Sequence, residues 1–130
     1  MPHVTGPFEV QLAPLPAYNQ DPGAALFRMS IDKQFHGALE AVSRGEMLAT
    51  RDGDAGGYVA IERVTGSLDG RTGSFVLQHS STMDAGGQEQ HVQVAPGSGT
   101  GALAGLRGNM RIVIADGEHR YEFEYTLPER

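Results

Sequence analysis

The chain contains no cysteine. That excludes a disulfide framework, a thiolate nucleophile and any cysteine-ligated metal, and it fits a reducing cytosol, so a cytoplasmic location is expected. Cations are scarce as well: ten Lys and Arg stand against sixteen Asp and Glu, giving a net charge of −6 and a pI near 5.2. The ten are scattered, whereas phosphate contacts need clustered Lys and Arg, so no nucleic-acid partner is expected. No window approaches the ~20 apolar residues of a membrane span. The opening Met1-Pro2-His3-Val4-Thr5-Gly6-Pro7 lacks a charged stretch followed by an apolar run, so neither a signal peptide nor a membrane segment is expected. The 130 residues fit a single domain spanning 1–130, which would bury roughly two thirds of its unfolded surface without metal or disulfide.

Glycine is plentiful, 18 of 130 residues, and it is spread between short apolar runs in the manner of turns. Those runs alternate with the period of strands. Phe8, Val10 and Leu12 form a first strand closed by Pro14 and Pro16. Ala25, Phe27, Met29 and Ile31 form a second, continuing to Phe35. The pattern from Leu39 to Arg51 admits helical turns on propensity, but Gly45 and the short span favour a bent strand. Asp52 to Gly57 is turn material. Two strands then meet at Asp69-Gly70, a sixth runs from Gln88 to Ala95, and Met110, Ile112 and Ile114 lead through Asp116-Gly117 into His119, Tyr121, Phe123 and Tyr125. The sum is all-β: a single-domain, eight-stranded antiparallel barrel with at most a short helical turn near residues 100–105. Closure removes the sheet edges. Met110, Ile112, Ile114, Tyr121 and Phe123 are expected to face inward.

The stretch Gly57 to Ser80 carries the most suggestive chemistry. Tyr58, Ala60, Glu62 and Val64 share one face of its first arm, and Phe75, Leu77 and His79 share one face of its second. A two-residue loop sets Ala60 opposite His79 and a four-residue loop sets Glu62 there, and both put Glu62 on the His79 face. An acid and a base therefore lie among the largest apolar side chains, where desolvation shifts pKa values toward useful strengths. The alternatives are a structural Glu62–His79 pair, or Glu62 tied to Arg71 or Arg107 at a barrel mouth.

Three stretches, GYVAIERVTGSLDGRTGSFVLQHSSTM, VAPGSGTGALAGLRGNM and GEHRYEFEY, together resemble a bacterial family of uncharacterised proteins, DUF3224, over essentially the whole chain. The resemblance implies an allene oxide cyclase-like barrel and no particular activity. Plant allene oxide cyclases use such a barrel as an apolar mould for a fatty-acid epoxide, with a buried glutamate that Glu62 invites comparison with. The comparison is one of fold and assigns no cyclase activity.

Other motifs are bland. Gly97-Ser98-Gly99-Thr100-Gly101-Ala102 matches a dinucleotide fingerprint, yet no crossover helix fits before Met110, so a Gly-rich loop capping one barrel end is expected. His3, His36, His79, His91 and His119 include no pair at metal spacing, although His79 and His119 both fall on inward faces. No metal, nucleotide or flavin is expected. Eight strands leave an interior that side chains fill or that holds one small ligand. The favoured function is binding of a small, largely apolar molecule by Tyr58, Phe75, Leu77, Met110, Ile112, Tyr121 and Phe123. The alternatives are a cofactor-free isomerase or cyclase, with Glu62 as base or electrostatic partner and His79 as proton donor, and a structural or protein-interaction barrel with a packed interior. Val59 and Ile61 oppose the inward face, and their outward position implies a homo-oligomer, a dimer by preference.

Overall fold

The computed structural model describes residues 2–128. Eight antiparallel strands close into a barrel: β1 (His3–Leu15), β2 (Ala25–Phe35), β3 (Leu39–Asp52), β4 (Ala55–Leu68), β5 (Arg71–Asp84), β6 (Gly87–Val94), β7 (Arg107–Ala115) and β8 (Glu118–Thr126). Each strand pairs with its neighbours in sequence, and β8 returns to β1. The one helical turn among the described residues, a 3-10 turn at Gly101–Leu103, falls inside the expected 100–105 window. No helix among the described residues is long and apolar enough to cross a membrane.

Turn chemistry sets the register at the two hairpins legible from sequence. Asp69 and Gly70 have φ of 49° and 81°, and Asp116 and Gly117 have 52° and 75°. Two successive left-handed residues make the tight turn whose twist matches that of the flanking strands. The two-residue register follows: Ala60 opposes His79, and Ile114 opposes His119.

Several boundaries and one facing differ from the sequence reading. β1 ends just before Pro16, as expected, but Pro14 does not close it; the strand runs from His3 to Leu15 and contains both Pro7 and Pro14. Its first part pairs with β8 and its second with β2, so each proline lies where β1 has a single partner strand and a missing N–H costs no ladder bond. The turn before β4 is also shorter than Asp52 to Gly57, because β3 and β4 pair as far as Asp52 and Ala55. Ile114 is 65% exposed, whereas Met110, Tyr121 and Phe123 are buried and Ile112 is half-buried. Alternation fixes which face a side chain takes but not its height along the barrel. Ile114 stands near the turn of the last hairpin, past Met110, and β6 pairs with β7 only at Val92–Met110 and Gln93–Asn109.

The two ends of the barrel are built differently. At the end where β3 and β5 begin, Phe35, Leu39, Val64, Leu68, Phe75, Leu77, Tyr121 and Phe123 are all buried. Phe75 and Phe123 stack with centroids 5.9 Å apart, and Phe35 meets Tyr121 edge-on at 5.7 Å. The Tyr121 hydroxyl donates to His36 O at 2.7 Å and accepts from Leu39 N at 3.1 Å. Leu103 and Leu106 cover this end from the Gly-rich connection. That connection is tied to β5 by Thr100 N donating to Ser74 O (2.8 Å) and Val76 N donating to Ser98 Oγ (3.0 Å). Thr100 O approaches Gly73 so closely that any side chain there would collide with it. The fingerprint-like glycines thus belong to a cap. The opposite end is open.

Candidate functional site

Between the packed end and the open end lies a buried polar layer. β4 turns Tyr58, Ala60, Glu62 and Val64 inward in succession from the open end, and Glu62 is fully buried. Its Oε2 accepts from Lys33 Nζ at 2.8 Å and from His79 Nε2 at 2.6 Å, and its Oε1 accepts from Ser43 Oγ at 2.7 Å. The Lys33 ammonium also sits over the rings of Phe8 and Phe35, 5.2 and 5.7 Å from their centroids. Glu62 is therefore paired with Lys33, not with Arg71 or Arg107.

The layer depends on a glycine. Gly45 of β3 lies directly opposite Glu62, and a Cβ at that position would meet the Ile61 carbonyl and the Cα of Glu62. Only a residue without a side chain lets the two strands approach so closely at the level of the carboxylate.

Burial opposes ionisation of Glu62. The hydrogen bond from His79, and the charge and hydrogen bond of Lys33, outweigh it and hold the carboxyl at about 2. Glu62 is thus an anion with three donors around it. Burial, and after it the Glu62 charge, raises the Tyr58 phenol above its usual value.

His79 is 95% removed from solvent, being 5% exposed. A carboxylate can only accept, so the hydrogen of the Glu62–His79 bond comes from Nε2. The other ring nitrogen, Nδ1, is buried and meets no hydrogen-bonding group among the described residues. A carboxylate that fixes an imidazole by one nitrogen and leaves the other free is an arrangement able to accept, hold or return a proton.

A cavity of about 370 Å³ occupies the open end, lined by Phe27, Met29, Met47, Ala49, Tyr58, Ser81, Met83 and Gln88 among others. His79 is the next inward residue of β5 beneath Ser81, and its ring lies 6.4 Å from that of Tyr58. The polar layer thus sits directly under the cavity floor. A second, more polar recess of about 420 Å³ lies at the seam between β6 and β7, lined by Gln88, Gln90, Met110, Arg111 and Ile112. There Ile112 N donates to Gln90 Oε1 at 3.0 Å in place of a strand partner.

The structure brings Glu62 and His79 into contact and separates the other residues singled out from sequence. Of these, Tyr58 lines the open-end cavity. Phe75, Leu77, Tyr121 and Phe123 pack in the closed half, and Met110 and Ile112 border the seam. His119 packs edge-on against Phe8 at 5.4 Å and takes no part in the polar layer. Among the described residues no group of three or more His, Asp or Glu side chains is placed to hold a metal ion.

Sequence reading passed over Lys33, Ser43 and the cavity methionines. Lys33 continues the inward series Phe27, Met29, Ile31 of β2, and Ser43 continues that of Leu39 and Ala41 on β3. A lysine on an otherwise apolar face was the available signal, since such a charge is buried only with a partner.

A family model for a protein of unknown function, DUF3224, matches residues 4–125. Three chains among solved structures match. One is the crystal structure of a DUF3224 protein of unknown function from Shewanella oneidensis MR-1. It is 48% identical, with a TM-score of 0.95 over 100% of this chain and 99% of that one. No curated protein matches the chain. Closed-barrel architecture, matched length and near-complete coverage agree: the chain belongs to the DUF3224 family.

Proposed function

We propose that the protein binds a small, largely apolar molecule in the cavity at the open end of its barrel. The observation that carries this reading is the contrast within one interior, tightly packed at one end and hollow at the other, with the hollow lined by Phe27, Met29, Met47, Tyr58 and Met83. Concave, apolar sites with a few polar groups at the floor are where small ligands bind. The allene oxide cyclase barrel, a mould for an apolar substrate, is a likeness of the same kind at the level of fold. A cytoplasmic location belongs to this reading on the lack of cysteine. A ligand-observed NMR screen of small apolar compounds tests it: hits on the wild type that weaken or vanish in Ala49→Leu, which pushes a larger side chain into the cavity, support it, and hits unaffected by that change refute it.

An enzymatic version uses the same site. Three donors and a pKa near 2 suit Glu62 to the role of electrostatic partner in place of base, with His79 handling the proton.

A second reading concerns the outer surface, which carries Leu26, Leu48, Val59 and Ile61 on adjacent strands, Ile61 being 62% exposed. Leu48 pairs directly with Val59, so the patch is contiguous. We propose that its occupant is a second copy of this chain. The surrounding outward charges, Arg28, Arg44 and Arg63 against Asp32 and Glu46, nearly cancel on a chain of net −6, and the adjacent Arg28 and Glu46 can exchange partners across a twofold axis. Sedimentation of the wild type as a dimer and of Ile61→Lys as a monomer is expected. A monomeric wild type at high micromolar concentration overturns this reading.

A further inference from the structure

We infer that the molecule taken by the open-end cavity carries a hydrogen-bond-donating head group, a hydroxyl of the phenol or alcohol class, which docks on Nδ1 of His79. This rests on the reading of that cavity as a ligand site and adds the chemistry of its floor.

Three observations combine. First, Nδ1 is a buried polar atom with no protein partner among the described residues. Such an atom is costly unless something binds it, and buried polar groups are nearly always hydrogen-bonded. Second, its chemical character is fixed by the other side of the ring. Nε2 donates to Glu62 Oε2 at 2.6 Å, and that carboxylate is held ionised by Lys33 and Ser43. In the neutral imidazole one nitrogen donates and the other accepts, so Nδ1 presents a lone pair and selects a donor.

Third, the ring is placed between the polar layer and the cavity. Glu62 lies deeper along β4 than the cavity residue Tyr58, and His79 lies beneath the cavity residue Ser81 on β5. The two nitrogens point to different sides of the imidazole. Nε2 is engaged by Glu62 deeper in the barrel, and the ring of Tyr58, which lines the cavity, lies 6.4 Å from that of His79.

The rest of the lining is mixed, with Thr50, Arg51, Ser81, Thr82 and Gln88 beside an apolar majority. Phe27, Met29, Met47 and Met83 offer apolar and polarisable surface, and methionine adapts to ligands of varied outline. Affinity would come from that surface, and selection for the donating head group from the hydrogen bond at the floor. A site with a buried acceptor rejects an analogue that lacks the donor, because the acceptor is then left unpaired.

The test uses the full chain and a matched pair of probes, 4-butylphenol and its methyl ether 4-butylanisole, titrated by calorimetry. On the wild type the phenol is expected to bind about tenfold tighter or more, the ratio one well-made buried hydrogen bond supports. In His79→Phe, with folding checked by circular dichroism, the two probes are expected to bind alike. Should that variant not fold, the 15N shift of His79 Nδ1 in the wild type supplies the same answer: it is expected to move with the phenol and stay still with the ether. Equal binding of both probes by the wild type, or a preference that survives His79→Phe, overturns the proposal while leaving the cavity as a ligand site. Failure of both probes to bind at all overturns the cavity reading and the proposal with it.

Discussion

Ala41 and Ala49 face the same barrel interior from the same strand, and their surroundings are opposite. Ala41 is buried in the cluster that includes Phe35, Leu39, Val64 and Leu68, opposite Gly66, where any side chain would collide with its methyl group. Ala49 lines an open cavity beside Met47 and Tyr58. Identical residues with the same facing thus sit in a filled space and an empty one. The strands are continuous through both halves, so the difference comes from the neighbours. One end interlocks aromatic rings beneath a cap, and the other is ringed by flexible methionines, small residues and a rim without a cap. The Glu62 layer marks where one regime gives way to the other.

The largest effect that would break this comparison is a truncation in each half. Phe75→Ala is expected to cost about 3–5 kcal/mol in urea unfolding, since it removes half of the Phe75–Phe123 stack and leaves a void that the packed end cannot collapse around. Met47→Ala is expected to cost no more than about 1 kcal/mol, because its side chain already borders open space. Similar losses at the two positions would contradict the contrast.

Acid probes the boundary layer. The carboxyl of Glu62 is lowered from 4.5 to about 2 on folding, so its stabilising contribution is complete above the unfolded value and is lost as pH falls from about 4.5 through 2. The shift corresponds to something on the order of 3 kcal/mol. Unfolding free energy followed from pH 6 downward should therefore fall more steeply in the wild type than in Glu62→Gln. Parallel profiles would mean that the buried anion is not held as described.

Filling the two alanine positions gives a smaller and more discriminating effect. Ala41→Leu overpacks the closed half and is expected to destabilise by about 1–3 kcal/mol. Ala49→Leu is expected to stay within about 0.5 kcal/mol of the wild type, as for other changes that strain nothing, while weakening ligand binding. Thermal unfolding of the two variants side by side checks both statements.

Much of this division was legible in the sequence, and its key part was not. Asp69-Gly70 and Asp116-Gly117 dictate hairpin turns from local chemistry alone, so the pairing of Ala60 with His79 could be written down from the residues. Alternation likewise put Glu62 and His79 on the inward face. What alternation cannot give is position along the barrel axis. Phe75, Leu77, Tyr121 and Phe123 look as fit to line a cavity as Phe27, Met29 and Met83, and Ile114 looks as buried as Met110, until the stagger of the strands decides which of them stand at the filled end. Lys33 and Ser43 meet Glu62 from strands distant in sequence, and only closure of β2, β3 and β4 around one layer brings them there. The prolines in β1 misled for a related reason: whether a missing N–H matters depends on which side of the strand has a partner.

The methionines report on the contrast most directly, because Met29, Met47 and Met83 line the cavity while Met110 belongs to the packed core. Labelling the methionine methyl groups with 13C and titrating the full chain with 4-butylphenol reads all four positions in one spectrum. The account predicts saturable shifts of the Met29, Met47 and Met83 methyl signals with Met110 unmoved. Shifts centred on Met110, or none at the three cavity methionines while the probe binds, would contradict it.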